Sequence, residues 1–279
     1  MKKNRFPAGL TEEEKEKPYA KYFYRTPARI PDNIMQNIQS GHMNPDDALP
    51  FERMNDLLQP GYHKRETGYC FMPDNSCYVA VLTQMPGVTG EMLDWWFWWH
   101  AIESLRYKIW YPGSHVSNHS KDRKQLENPA LSSRERYLNN TQYPVEDVGI
   151  GMDMLSITFL PPADFGFDTS LFEQAQIATA ICARVGSVAK KVLHTDMCHL
   201  VRSTADGIEM RSRFWIGRKI RLTMLSEKSS VHRLPNTKFL RKILIPGNTP
   251  MRMAHHCAQE YNNLAMILPE LYRDYGGHK

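Results

Sequence analysis

Five consecutive large aromatic residues, Trp95, Trp96, Phe97, Trp98 and Trp99, constrain the fold of this 279-residue chain more than any other feature. They lie in "EMLDWWFWWHAIESLRYKIW", a stretch without Gly or Pro. Thr89 can cap it and Glu91 suits its first turn, so the pattern predicts one continuous helix. Five rings in a row go round the whole circumference of a helix, which must then be buried on most sides. Only a sizeable core can enclose such a helix, and 42% hydrophobic residues over this length can supply one. With 11% aromatic residues spread along it, the chain is not of a disordered class.

Charge and cysteine usage remove further classes. The 35 Lys+Arg and 30 Asp+Glu give a net charge of +5. The densest basic runs, "GRKIR" and "KFLRK", are too short for a nucleic-acid footprint, so no nucleic-acid partner is expected. No run approaches the ~18 apolar residues that span a bilayer, so no membrane association is expected either. Residues 1–17 are charged and lack the apolar core of a signal peptide. Cys70, Cys77, Cys182, Cys198 and Cys257 are odd in number and contain no C-x-x-C pair. This argues against a disulfide framework or a zinc knuckle and for a reducing, cytoplasmic setting.

The chain divides near residue 62. Thr11 with Glu14 forms a capping-box pattern, and Pro31-Asp32 and Pro45-Asp46 each open a short amphipathic stretch that ends by Pro60-Gly61. Residues 1–62 read as a helical N-terminal subdomain or arm that offers a homodimer contact. Residues 63–279 read as the main domain. There "GYCFM" and "CYVAVLTQM" flank the turn cluster 73–76, while 113–144 is polar and reads as a long loop. Strands are predicted at 145–160, 175–185, "MCHLVRST", "IEMRSRFWIG" and "FLRKILI". Asp206-Gly207 signals a hairpin; with those two as loop residues, Ala205 faces Ile208 and His199 faces Phe214. Thr249-Pro250 then opens a long helix that runs to Gly276, with Pro269 able to kink it. Strands followed by a long C-terminal helix predict an α+β fold, a curved antiparallel sheet around that helix.

The candidate chemistry is spread along the chain. His256 and Glu260 are four apart, share a helix face and can hold one metal ion; His255 competes, but Gln259 is a poor partner for it. Period-two alternation in 145–160 puts Glu146 at the head of an apolar face with Val148, Ile150, Met152 and Met154. Such a carboxylate needs a cation, a metal or a proton, unless the strand starts later and leaves it in water. His115 and His119 are loop candidates for a site of two histidines and two carboxylates, a donor set suited to Zn²⁺. Trp96, His100, Glu103 and Tyr107 would line one face of the aromatic helix, which makes His100 and Glu103 a rival metal pair and the stripe a core surface or pocket wall. His199, among apolar neighbours on a sheet face with Val201 and Ser212, is either a hydrogen-bonded core residue or a general acid/base.

Two motifs carry a resemblance. "H-x-x-E-x-L-R-Y-K-x-W-x-P-x-x-H" at 100–115 and "H-H-x-x-Q-E-Y" at 255–261 resemble the zinc-dependent 2,4-diacetylphloroglucinol hydrolase and phloretin hydrolase family. The likeness extends from about Gly68 onward. It implies a Bet v1-like helix-grip fold and a zinc ion held by His115, Glu146, His256 and Glu260. The implied reaction is hydrolysis of the carbon–carbon bond between an acyl group and a phloroglucinol-type ring, on a small acylated polyphenol. The resemblance further assigns Tyr107 and Asn118 to substrate oxygens and His199 to proton transfer. Phe214 stands where the family carries a tyrosine, so its hydroxyl is absent unless another such as Tyr111 replaces it. Trp96, Tyr111 and Phe214 are expected around the substrate.

Two other classes fit a helix-grip chain: a non-catalytic carrier of aromatic or lipid ligands, and an iron-dependent oxygenase using the same His/Glu set. Four protein ligands leave less room for oxygen chemistry than a three-ligand facial triad, which favours hydrolysis.

Overall fold

The computed structural model describes residues 9–226 and 229–277; the first residues of the segment read for a leader lie outside them. The N-terminal capping box forms, with the Thr11 side chain accepting from Glu14 N. Helix α1 (Asp32–Gln39) starts after Pro31, and a single 3₁₀ turn at Pro45–Asp47 and a longer, kinked 3₁₀ stretch at Phe51–Leu58 follow. Tyr19, Tyr22, Ile30, Ile34 and Ile38 of this region are buried in the same core as the C-terminal helix.

The sheet comes next. Strands β1 (Gly68–Phe71) and β2 (Cys77–Pro86) form the hairpin expected around 73–76. The aromatic segment is two helices, α2 (Gly90–Trp99), capped by Thr89, and α3 (Ser104–Lys108). Glu103 between them is extended and serves as the N-cap of α3, so the continuous helix predicted from the sequence is broken. Residues 113–144 are not a plain loop. They hold β3 (His115–Ser117), two short helical turns and β4 (Thr141–Gln142).

The strand predicted at 145–160 is a hairpin of β5 (Val145–Asp147) and β6 (Met152–Leu160). Gly149 (φ 90°) and Gly151 (φ 113°) adopt left-handed backbone that reverses the chain between them. Then come β7 (Ile177–Ser187), β8 (Val192–Thr204) and β9 (Gly207–Leu222). "FLRKILI" is not a strand: Lys238–Leu244 is helix α4, capped by Thr237. Helix α5 (Thr249–Tyr275) runs 27 residues and continues through Pro269.

All strand pairs are antiparallel, in the order β1-β2-β9-β8-β7-β6-β5-β3, with β4 on β6. Side-chain alternation splits the sheet's two faces. Val79, Val81, Ile181, Val201, Met210 and Phe214 join the core with α2 and α5. Ala80, Cys182, Cys198, Leu200 and Trp215 face the other way, onto Leu57, Leu58, Phe165 and Phe167. Helix α5 buries Ala254, Cys257, Ala258, Tyr261, Leu264, Leu268 and Leu271, spaced three and four apart, and packs against β2. This is the helix-grip arrangement, a curved antiparallel sheet around a C-terminal helix. Among the described residues no helix is long and apolar enough to cross a membrane.

The β8–β9 register differs from the prediction. His199 pairs with Ser212, and Phe214 with Met197, because Ala205 and Asp206 form the turn. Gly207 is used elsewhere: a Cβ on it would sit 2.5 Å from Met85 O of β2. The glycine therefore serves close strand approach rather than the turn. A shift of two residues preserves the face, and the His199 and Phe214 rings still meet at 5.7 Å.

Candidate metal centre and active site

Three separate pieces of backbone bring the site together. His115 and Glu146 are direct cross-strand partners in β3 and β5, so one register fixes both side chains. His256 and Glu260 extend from one face of α5. Trp110 Nε1 donates to Glu260 O at 3.0 Å, and Asn263 Nδ2 donates to Trp110 O at 2.6 Å, which ties the segment after α3 to α5.

The four side chains converge. His115 Nε2 lies 3.3 Å from Glu146 Oε2 and 3.6 Å from Glu260 Oε2. His256 Nε2 lies 3.9 Å and 3.6 Å from the same two oxygens. A tetrahedron of donors about 2.1 Å from its centre has edges of about 3.4 Å, so these separations suit one small cation. His115, His256 and Glu260 form the tightest group, with donor atoms all within 4.8 Å of one another. Glu146 Oε2, which also accepts the Tyr107 hydroxyl, completes the set through its 3.3 Å approach to His115.

Both histidines present a lone pair to the cluster. His115 Nδ1 lies 3.2 Å from Tyr107 O, which can only accept, so Nδ1 carries the hydrogen. Its Nε2 is buried without a hydrogen-bond partner among the described residues. Ser114 Oγ donates to Asp147 O at 2.6 Å and is left to accept from His256 Nδ1 at 3.3 Å. Outer partners of this kind fix metal-ligating tautomers.

The electrostatics are unbalanced without a cation. Burial, then repulsion from Glu146, drives Glu260 well above the usual carboxylate range. Burial raises Glu146 to about 7 against the opposing Tyr107 hydrogen bond, with Asp147 adding to the rise. Burial, then His256, takes His115 well below the usual imidazole value. Burial takes His256 down to about 3, with His255 adding to the fall. Two neutral imidazoles and two buried carboxylates have no positive partner among the described residues, and the donor set fits a divalent ion.

The cluster opens on a cavity of about 410 Å³, a size suited to a small organic ligand. Phe97, Trp110, Phe159 and Phe214 form aromatic walls. Asn118 lines it too; its Nδ2 donates to Gln142 Oε1 at 2.9 Å, while its Oδ1 is buried and unpaired among the described residues. His199 lines the same cavity, with Ser212 Oγ 2.8 Å from Nδ1 and the Tyr261 hydroxyl 2.9 Å from Nε2. Burial takes its imidazole down to about 3.

Residues 49–273 match the family model described as the DAPG hydrolase PhiG domain. The chain belongs to that family. It is 34% identical over 271 residues to the 2,4-diacetylphloroglucinol hydrolase of Pseudomonas protegens, covering 93% of this chain and 85% of that one. It is also 34% identical over 268 residues to the phloretin hydrolase of Eubacterium ramulus, covering 95% and 93%. A solved structure of norcoclaurine synthase from Thalictrum flavum aligns with a TM-score of 0.34 at 8% identity, over 77% of this chain and 98% of that one.

In this member of the DAPG hydrolase family the other sequence candidates divide. Tyr107 stacks on the His115 ring at 4.0 Å and lines the cavity. Tyr111 packs edge-on to His115 at 5.7 Å and tilted to His256 at 5.1 Å, behind the cluster. Trp96 is fully buried in the core, and Phe97 and Trp110 stand at the cavity wall. His100 stacks on Trp96 and lines the cavity. Glu103 instead accepts from Tyr19 and pairs with Lys17 and Arg106. His119 stacks on Tyr143. Tyr261 escaped the sequence reading although it is the last letter of "H-H-x-x-Q-E-Y". It follows Glu260 directly, and its helix spacing with Cys257 and Leu264 was the available signal.

Proposed function

We propose that this chain is a zinc-dependent hydrolase that cleaves the carbon–carbon bond between an acyl group and a phloroglucinol-type ring. The observation that carries the reading is a buried, uncompensated His₂Glu₂ cluster opening on an aromatic-walled cavity that also holds His199 and Asn118. The names of the curated relatives support the substrate class.

When bound by His115, Glu146, His256 and Glu260, zinc would supply Lewis acidity for the acyl carbonyl and for water. In the balanced reaction a water oxygen bonds to the acyl carbon, the acyl–ring bond breaks, and the ring carbon gains a proton. The products are a carboxylic acid and the free ring. His199 is neutral and carries one N–H, so it can give a proton at one nitrogen and regain one at the other. Ser212 and Tyr261 hold its two nitrogens and orient the ring. Asn118 and Tyr107 bind substrate oxygens, and the hydrogen bond from Tyr107 holds Glu146 in place. Phe214 offers a ring surface without a hydroxyl, and Trp96 and Tyr111 back the walls that touch substrate.

A cytoplasmic setting goes with this reading, supported by five free, buried cysteines. So does a homodimer, which sedimentation velocity reads directly. The deciding experiment incubates zinc-loaded protein with 2,4-diacetylphloroglucinol and with phloretin under argon and identifies the products. Acid plus deacylated ring is expected. Turnover only in oxygen would replace hydrolysis by oxygenase chemistry, and tight binding without turnover would leave a carrier.

A further inference from the structure

We propose that the acyl group this site prefers is long and apolar-bodied rather than acetyl, with the mouth of the cavity serving as its tail site. The inference rests on the hydrolase reading and narrows it to a substrate class. A ring carbon that must gain a proton has to lie beside His199, near Phe159 and Phe214. The acyl carbonyl then lies at the four-donor cluster. The rest of the acyl group can only point toward the mouth.

That mouth carries several apolar side chains. Val148, Ile150 and Met152 come from the β5–β6 turn, with Leu244 at the end of α4 and Met253 in α5, and all five line the cavity. The turn rests on the start of α5, where a Cβ on Gly149 would lie 2.9 Å from Arg252 Cδ. Ile150, Met152 and Leu244 are 42%, 36% and 53% exposed. Apolar side chains held open around a cavity gain burial only when something covers them. An acetyl group would end at the cluster and leave them wet, whereas a longer chain covers them. Asp153, Lys190 and His194 add polar groups to the lining, where a polar group at the end of the chain can stay hydrated.

The test uses zinc-loaded full-length protein and phloroglucinols carrying acetyl, butanoyl or 3-phenylpropanoyl groups. The expected kcat/KM for 3-phenylpropanoyl exceeds that for acetyl by about tenfold or more, the scale of discrimination an apolar pocket gives. Calorimetry with two uncleavable analogues, ethyl- and 3-phenylpropyl-phloroglucinol, should rank binding in the same order. Ile150→Asn and Met152→Gln, at exposed positions, should each reduce the long-to-acetyl ratio several-fold. Equal or better cleavage of acetyl, with equal binding of the analogues, overturns the tail site and leaves the hydrolase reading standing. No cleavage of any substrate, with binding that still rises with chain length, supports the tail site and overturns the hydrolase reading. A ratio unmoved by the variants, with a change in sedimentation instead, makes this face a contact with a second copy and overturns the proposal.

Discussion

Two clusters of buried charge lie on opposite faces of the sheet, and they are built in opposite ways. On one face, Glu66 lies between Arg211 and Arg213, both almost fully buried. It accepts from Arg211 Nη2 at 2.6 Å and from Arg213 Nη2. Arg211 Nη1 further donates to Leu57 O and Arg213 Nη1 to Ser212 O. Burial pushes the Glu66 carboxyl up, but Arg213 and Arg211 outweigh it and bring it down to about 2. On the other face, Glu146 and Glu260 lie among neutral histidines, and both are pushed up. The first cluster carries its own counter-charges and holds structure. The second lacks them, which marks a place for a cation rather than a fold element.

The comparison breaks most visibly at Glu66. Glu66→Gln leaves two buried guanidinium groups without an anion and should destabilise the fold by about 3–5 kcal/mol in urea titration. A loss under 1 kcal/mol would mean the cluster is not a structural lock. The same carboxyl predicts acid sensitivity. Its folded value, about 2, lies below the ordinary 4.5, so its contribution is complete above pH 4.5 and drains away as pH falls toward 2. By linkage that is roughly 3 kcal/mol, and the slope over this window should vanish in Glu66→Gln.

The next effect is catalytic. His199→Ala should keep its zinc and lose about a hundredfold or more in kcat, the scale of a positioned proton donor. His100→Ala should instead cost about 1–3 kcal/mol of stability, because it removes a buried ring that stacks on Trp96 and Tyr107 and bonds Trp96 O through Nδ1, with a smaller change in turnover. Loss of zinc in His100→Ala with normal turnover in His199→Ala would reverse both assignments. A smaller effect is expected at Ser114, whose hydroxyl links Asp147 O to His256 Nδ1. Ser114→Ala should weaken zinc binding by about tenfold to a hundredfold while costing only about 1 kcal/mol of stability.

How far the sequence reached depended on what each signal measured. Helix spacing placed His256 and Glu260 together, since four residues on a helix are neighbours wherever the helix packs. Glu146 is legible for a different reason than the one that holds. Period-two alternation runs straight through Gly149 and Gly151 in the sequence, yet the hairpin they create is what sets Glu146 opposite His115. The aromatic run correctly signals burial, but within that helix Trp96 turns into the core while Phe97 lines the cavity, and Trp110, beyond the break at Glu103, lines it too. "FLRKILI" has strand composition, yet Thr237 caps it as a helix, a case of local capping outweighing propensity. Gly207 misled the register because its use, close approach to Met85 O, is a tertiary fact. Tyr261 was missed for a similar reason: its partner His199 is 62 residues away and meets it only when α5 lies in the sheet.

The most direct test of an uncompensated cation site is the thermal unfolding of wild-type protein and Glu260→Gln, each with and without zinc. The Glu260 carboxylate has no hydrogen-bond donor among the described residues, so its charge is a cost in the metal-free fold. Metal-free Glu260→Gln should therefore be at least as stable as metal-free wild type. Zinc should raise the melting temperature of wild type alone, by mass action on the folded state. A metal-free Glu260→Gln protein that unfolds far below wild type, as Glu66→Gln should, with zinc shifting neither protein, would contradict the assignment.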